Sequence, residues 1–379
     1  MKRIIVLGAG LVGKEMAKDL TKYYDVTAVD RSEASLRSAF QGHPGIKTIV
    51  ADLSAPAAIT RLVEPFDLVV GAMPGFMGKA TLKAVLEAGR DVVDIAFFPE
   101  DPFDLDGLAK AKGVTALVDF GVAPGMSNMF AGYHQKQMAA LSRIEILVGG
   151  LPVVREFPFE YKAVFSPIDV IEEYTRPARY IENGHEVVRT ALTDPELLFF
   201  PGIGTLESFN TDGLRSLAKT IHCPNMKEKT LRFPGHIRLM EVLRESGFFD
   251  KTPIDVHGVM ISPLEFTSRV MFPKWQLKPG EEDFTVMRVI VEGDDAQGRH
   301  ETVTYDLLDR FDAKNKVTSM ARTTGYTGTA GVRLLAEGKF KRPGVNPPEF
   351  VGEVPACLEF VLAHLAERDI RYEKTVSRG

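Results

Sequence analysis

Cysteine is scarce in this 379-residue chain: two only, Cys223 and Cys357, far apart and in no CxxC or Cys/His cluster. That excludes a disulfide scaffold and argues against a structural metal, so no metal ligands are expected. No run of 18 apolar residues occurs, and the apolar stretch in "MKRIIVLGAG" breaks on glycines after about five residues. A membrane span and a signal peptide are therefore not expected. A dense Lys/Arg stripe is also missing, and the formal net charge is −5, which argues against nucleic acid as a partner. Internal repeats, low-complexity tracts and long linkers are absent too. What remains is 45% hydrophobic and 26% charged, ordinary for a globular protein and long enough for two or three domains. A reducing, cytoplasmic setting is expected.

The first third alternates apolar runs with helical patterns. Strands are expected at residues 3–7, 26–30, 47–51, 68–72, 92–96 and 114–120, with amphipathic segments such as 11–22 and 79–88 between them. The runs are apolar throughout rather than alternating, as in parallel strands covered on both faces. Strand and helix repeated about six times give an α/β fold, a Rossmann-type doubly wound parallel sheet.

After Met129 the texture changes. Segments 143–148, 179–182 and 186–189 suit antiparallel strands, and "ENGHE" carries the Asn183-Gly184 pair of a type I′ hairpin. Long strands at 284–292 and 301–307 flank the turn-rich "GDDAQGR", with short helices at 169–173 and 238–246. This predicts an α+β domain on a mostly antiparallel sheet. Helical periodicity returns at 324–337 and 356–367, and those helices can pack back on the first domain. The domains are accordingly expected to be discontinuous: 1–122 with 322–379 for dinucleotide binding, 123–321 for substrate and dimer contacts. "RPGVNPPE", residues 342–349, reads as a Pro-rich connector.

"IIVLGAGLVGKEMAKDL" places Gly8, Gly10 and Gly13 in G-x-G-x-x-G, directly after a strand and opening a helix. The first glycine allows the tight turn, the second lets the backbone approach a pyrophosphate, and the third lets helix and strand pack closely. The loop through Leu11 and Val12 would then hold phosphates at a helix N-terminus. Asp30 ends the second strand, where a carboxylate accepts from both adenosine ribose hydroxyls. That favours NAD, while Arg31 beside it leaves NADP as the alternative. Asp52 and Leu53 close the third strand; Asp52 either meets the adenine edge or caps the next helix.

Ligands of open α/β sheets lie at the carboxyl ends of the strands. There "VVGAMPGF" offers Ala72, Met73 and Pro74 for the nicotinamide ribose. Asp94 sits inside strand five and Asp119 ends strand six; an aspartate in an apolar strand needs a partner or a hydrogen bond. Three polar clusters follow: Glu207, Asp212 and Arg215 in "ESFNTDGLRS", His236 and Arg238 in "RFPGHIR", and Tyr174, Arg176 and Arg179 in "EYTRPAR". Arginine matches a carboxylate bidentately. His236, beside a glycine turn, is the neutral-pH acid/base candidate, ahead of Asp119 and Asp94; a buried structural histidine is the competing reading.

With these residues in view, the chain resembles the saccharopine dehydrogenase-like family, and within it the L-lysine 6-dehydrogenase branch. The resemblance rests on "GAGLVGKEMAKDL", "GAMPGF", "DFGVAPGMSN", "VGGLP", "SPIDVIEEYTRPARYIENG", "ESFNTDGLRSLAKTI", "LRFPGH", "KVTSMARTTGYT" and "GVNPPE", in order along the chain. It implies a Rossmann domain with a substrate domain, a homodimer, NAD as cofactor, and oxidation of the lysine ε-amine to an aldehyde that cyclises. It also implies that Pro124, Gly125 and Met126 lie against the nicotinamide. From the residue types of the turn itself, Ser127 or Asn128 is expected to cap the following helix. Glu207 or Asp212 would hold the cationic amine, and Arg215 or Arg238 the α-carboxylate. Reductive coupling with NADPH, of the saccharopine or carboxyspermidine type, is the alternative. A non-catalytic dinucleotide sensor is a third reading.

Overall fold

Ile4, Ile5, Val6 and Leu7 are completely buried, because the strand Arg3–Leu7 lies in the middle of its sheet and is covered on both faces. In the computed structural model, which describes every residue except Pro279 and Gly379, the chain forms two compact units. The first comprises Met1–Ala139, Lys219–Ile221 and Ala321–Arg371; the second comprises Ala140–Ala218, His222–Met320 and Tyr372–Gly379. The boundary drawn from the sequence at 122/123 thus stands beside an observed division after Ala139.

The first unit holds a seven-stranded parallel sheet. Its order is Gly344–Asn346, Thr115–Leu117, Asp91–Asp94, Leu68–Gly71, Arg3–Leu7, Asp25–Asp30, Ile46–Val50. Val6 stands level with Ala28 on one side and Val70 on the other. Helices Gly13–Leu20, Pro56–Val63 and Gly75–Glu87 are among those that connect the strands, with Ile59, Val63, Leu82 and Val85 in the core. The third strand departs from expectation: as the sheet edge it buries only Ile46 fully. The sixth is shorter than 114–120, because Asp119 turns to φ +54° and ends the extended run. The Pro-rich connector conceals the seventh strand, in which Gly344 pairs with Thr115, Val345 with Ala116 and Asn346 with Leu117.

The second unit holds a nine-stranded mixed sheet. Along its main path the order is Glu196–Phe200, Gly204–Asn210, Met226–Arg232, Ala140–Pro152, Asp283–Asp294, His300–Arg310, Glu373–Arg378. Among the described strands of this sheet, Met226–Arg232 with Ala140–Pro152 is the parallel pair and the other pairings are antiparallel. The expected hairpin at Asn183-Gly184 is present, with both residues at positive φ and Glu182 opposite His185. Helices Pro167–Thr175, His236–Glu245 and Pro263–Trp275 share a core built on Trp275, Tyr174, Phe209 and Met240.

Candidate active site

The first strand ends at Leu7 and the chain turns at Gly8, φ +99°. A Cβ there would stand 2.5 Å from the Ala72 carbonyl oxygen, so the turn requires glycine. A Cβ on Gly13, the first residue of Gly13–Leu20, would fall on the Gly8 carbonyl. Gly10 differs: it is exposed, with open space where a Cβ would stand. A phosphate can reach the backbone from that side. Val12, at the N-cap, supplies no side-chain cap, which leaves first-turn N–H groups for an anion. Leu11 beside it is 43% exposed.

Asp30 is tied into this loop. Its Oδ2 accepts the Ala9 N–H at 3.2 Å and its Oδ1 the Ser32 N–H at 3.0 Å, while Arg31 is exposed. Asp52 is exposed and accepts the Ser54 N–H at 2.9 Å, a local turn; the N-cap of Pro56–Val63 is Ala55. Leu53 points into the apolar core.

At the other strand ends, Ala72, Met73 and Pro74 are half-buried, with Pro74 the N-cap of Gly75–Glu87. Asp94 closes Asp91–Asp94, is 1% exposed, and accepts the Ala96 N–H at 2.6 Å. Its carboxyl occupies space that Gly71 vacates on the neighbouring strand, where a Cβ would stand 2.9 Å from Asp94 Cγ. Burial, reinforced by the Asp119 charge and opposed by the Ala96 N–H, pushes this carboxyl up to about 7. Asp119 is buried as well.

The chain then folds back on itself. The Gly121 N–H donates to the Pro124 carbonyl at 3.1 Å and the Met126 N–H to the Gly121 carbonyl at 3.0 Å. Gly125, at φ +144°, is the N-cap of Met126–Gln137, and a Cβ on it would fall on the Gly121 carbonyl. Ser127 and Asn128 lie inside the first turn of that helix; Asn128 Oδ1 accepts the Gly125 N–H at 3.5 Å.

In the second unit, His236 is 3% exposed and opens His236–Glu245. One of its ring nitrogens, Nδ1, lies 2.9 Å from the Phe159 carbonyl oxygen, which can only accept, so Nδ1 carries the proton. Nε2 therefore accepts from the Tyr174 hydroxyl at 3.0 Å. That hydroxyl oxygen accepts from Arg232 Nε at 3.1 Å, and Arg232 Nη2 donates to Glu173 at 2.6 Å. Burial and the Arg232 charge hold the imidazole down at about 3, against the Phe159 bond. It is neutral at physiological pH. Tyr161 and Trp275 pack around it, ring centroids 5.1 and 6.5 Å away.

Asp212 receives Arg179 bidentately, Nε to Oδ1 and Nη2 to Oδ2 both at 2.8 Å. Arg176 and Arg215 add to this group: burial draws Arg176 below its usual range, with Arg215 and Arg179 contributing and Glu172 and Asp212 opposing. Two other candidates stand apart. Arg238 is 79% exposed and pairs with Glu241 at 3.3 Å, and Glu207 accepts the Gly235 N–H at 2.9 Å.

Sequence reasoning passed over Glu228, Thr230 and Arg232, which alternate along Met226–Arg232 and share one sheet face. Glu228 accepts from Thr211, occupies space that Gly213 vacates, and is pushed by burial up to about 8. The period-two spacing in "KEKTLR" was the available signal, masked by its charges.

The comparison with known proteins decides the family. The family described as "Saccharopine dehydrogenase NADP binding domain" matches residues 4–117, and "Saccharopine dehydrogenase C-terminal domain" matches 121–370. The chain belongs to the saccharopine dehydrogenase family. Saccharopine dehydrogenase [NADP(+), L-glutamate-forming] of Schizosaccharomyces pombe is 22% identical, with 99% of each chain covered. Carboxynorspermidine synthase of Vibrio cholerae is 22% identical over 93% of this chain and 94% of its own. Saccharopine dehydrogenase (L-Glu forming) of Saccharomyces cerevisiae superposes with a TM-score of 0.81 at 18% identity, all of both chains covered, which establishes the fold.

Membership in the saccharopine dehydrogenase family makes the chain an NAD(P)-binding oxidoreductase, and the first unit fits that cofactor. The open side of Gly10, the uncapped helix N-terminus and the fixed Asp30 carboxylate suit a dinucleotide. Among the described residues no group of three or more His, Cys, Asp or Glu is placed to hold a metal ion, and no helix is long and apolar enough to cross a membrane.

Proposed function

We propose that the protein oxidises the ε-amine of L-lysine, or of a close amino-acid amine, with NAD as acceptor. The amine becomes an imine, water hydrolyses it to an aldehyde and ammonia, and the aldehyde cyclises with the α-amine. Bound NAD supplies the hydride acceptor. The substrate's ammonium group, which in water ionises at about pH 10.4, has no lone pair on nitrogen and must first lose a proton.

The observation that carries this reading is Asp94, a carboxyl poised at about 7 at the carboxyl end of the parallel sheet, with Asp119 as its charged neighbour. A base tuned to neutrality is what amine deprotonation needs. We assign the proton to Asp94, with Asp119 adjusting its affinity. His236, held at about 3, orients Tyr174 through its Nε2 and takes no proton. Arg215 and Arg176, grouped around the Arg179–Asp212 pair, supply the positive charge for the α-carboxylate. Asp30 supports NAD over NADP, because a 2′-phosphate would face its carboxylate.

Reductive coupling with NADPH is the second reading, favoured by the NADP-named relatives and by Arg31 beside Asp30. NADH and NADPH formation with L-lysine, saccharopine and a carboxyspermidine separates the two. The proposal expects NADH with lysine and release of ammonia. Turnover confined to saccharopine or the carboxyspermidine, with NADP, overturns it.

A further inference from the structure

Gly121 lies just past the sixth strand of the parallel sheet, and a residue distant in sequence closes one side of it. A Cβ on Gly121 would stand 3.2 Å from Thr324 Cγ2. Thr324 belongs to the helix Ser319–Ala336, of which the residues from Ala321 onward lie in the first unit, as Gly121 does. Its neighbours Ala321, Arg322, Thr323 and Gly325 are buried, whereas Thr324 is partly exposed. The next residue meets the phosphate loop: a Cβ on Gly325 would stand 3.3 Å from Val12 Cγ1. Thr324 and Gly325 thus adjoin both the turn that follows strand six and the N-cap of Gly13–Leu20.

This placement is fixed along the length of the dinucleotide helix. A Cβ on Gly328 would stand 2.5 Å from Met16 Cε, so glycine is what lets the two helices approach. Farther along, Thr329 Oγ1 donates to Asp19 Oδ2 at 2.7 Å, and Arg368 Nη2 lies 2.9 Å from Asp19 Oδ1. Val12, Met16 and Asp19 recur at helical spacing and share one face. A shift of Thr324 relative to the glycine loop would break these contacts.

The order of the sheet says which half of a dinucleotide Thr324 faces. Asp30 ends the strand on one side of Arg3–Leu7 and suits the adenosine ribose. The nicotinamide half therefore belongs on the other side, at the carboxyl ends of Leu68–Gly71, Asp91–Asp94 and Thr115–Leu117. Gly121 and Thr324 stand at that end. We propose that Thr324 is a nicotinamide-contacting residue, which together with Gly121 walls the nicotinamide end of the cofactor site and leaves the adenosine end untouched. The assignment rests on NAD(P) binding and on the reading that the 121–126 turn walls the nicotinamide; the amine that is oxidised does not enter it.

Two measurements on the full chain test it. Thr324→Phe fills the space beside Gly121. Its affinity for ADP-ribose, which lacks the nicotinamide, should stay within about twofold of wild type, while its affinity for NADH should fall about tenfold or more. Titration calorimetry reads both. Wild-type NADH affinity, or an equal loss for ADP-ribose, overturns the assignment. The second measurement leaves the fold alone. In wild-type protein labelled at its threonine methyls, the resonance that is missing from the spectrum of Thr324→Ser belongs to Thr324. With NADH bound to the wild type, that methyl should show a nuclear Overhauser effect to the nicotinamide ring protons. Its absence, with NADH bound, overturns the assignment, and decides alone should Thr324→Phe fail to fold. Neither measurement uses an amine, so failure of the wild-type chain to oxidise lysine refutes the proposed reaction without touching these results.

Discussion

Replacing Asp94 with asparagine should make the protein more stable at alkaline pH and much slower as a catalyst. The carboxyl is raised from 3.8 to about 7 in the fold. Between those values the folded state holds a proton that the unfolded state has released, so stability falls as pH rises from near 4 to near 7 and is level beyond. Roughly three units at about 1.4 kcal/mol each give about 4 kcal/mol lost to ionising Asp94 in place. Asparagine keeps an oxygen for the Ala96 N–H and stays neutral. Its advantage over the wild type should therefore be small near pH 4 and grow by about 2–3 kcal/mol between pH 5 and pH 8. Urea unfolding of both proteins at a series of pH values measures that difference, since other titrating groups cancel. The same variant should lose about 100-fold or more in kcat, and should lack the rise in kcat/KM through pH 7 that Asp94 as base predicts for the wild type. A pH-independent stability difference, or a variant with wild-type turnover, would refute the reasoning.

Other residues separate the site from its surroundings. His236→Phe leaves the Tyr174 hydroxyl and the Phe159 carbonyl without their partner and should cost about 2–4 kcal/mol in unfolding free energy; the pH dependence of kcat should be retained, because the imidazole is neutral throughout the working range. Arg215→Ala should raise KM for the amino-acid substrate about tenfold or more, whereas the exposed Arg238→Ala should stay within about twofold, in steady-state assays at saturating NAD. Asp30→Ala should weaken NAD and raise the NADP/NAD ratio of kcat/KM by about tenfold, since the repulsive carboxylate is gone.

Legibility followed locality. Gly8, Gly10, Gly13 and Asp30 were readable because a strand, a turn and a helix N-terminus fall within one short stretch, each glycine with a separate steric reason. The antiparallel hairpin at Asn183-Gly184 was readable for the same cause. Gly344–Asn346 was hidden by the prolines around it; it is a strand because Thr115–Leu117 offers a free edge, a fact that lies more than two hundred residues away. Met226–Arg232 was hidden by its charged residues, which partners from distant segments hold inside the sheet: Thr211 for Glu228, Asp194 and Glu196 for Lys229, Tyr174 and Glu173 for Arg232. His236 shows the limit most clearly. A glycine turn before a histidine suggests access to solvent, but Tyr161, Tyr174 and Trp275 close over it from distant segments. The near-neutral carboxyl at Asp94 depends likewise on burial in the space that Gly71 leaves on the neighbouring strand, and on the charge of Asp119 beyond the end of the sixth.

The central claim is that hydride leaves the carbon bearing the ε-amine of lysine. L-Lysine deuterated at that carbon, incubated with NAD and the purified protein, tests it in one step. The account predicts NADH carrying deuterium at C4 of the nicotinamide, with ammonia released in equal amount. NADH without deuterium, or no reduction of the nucleotide, would contradict it.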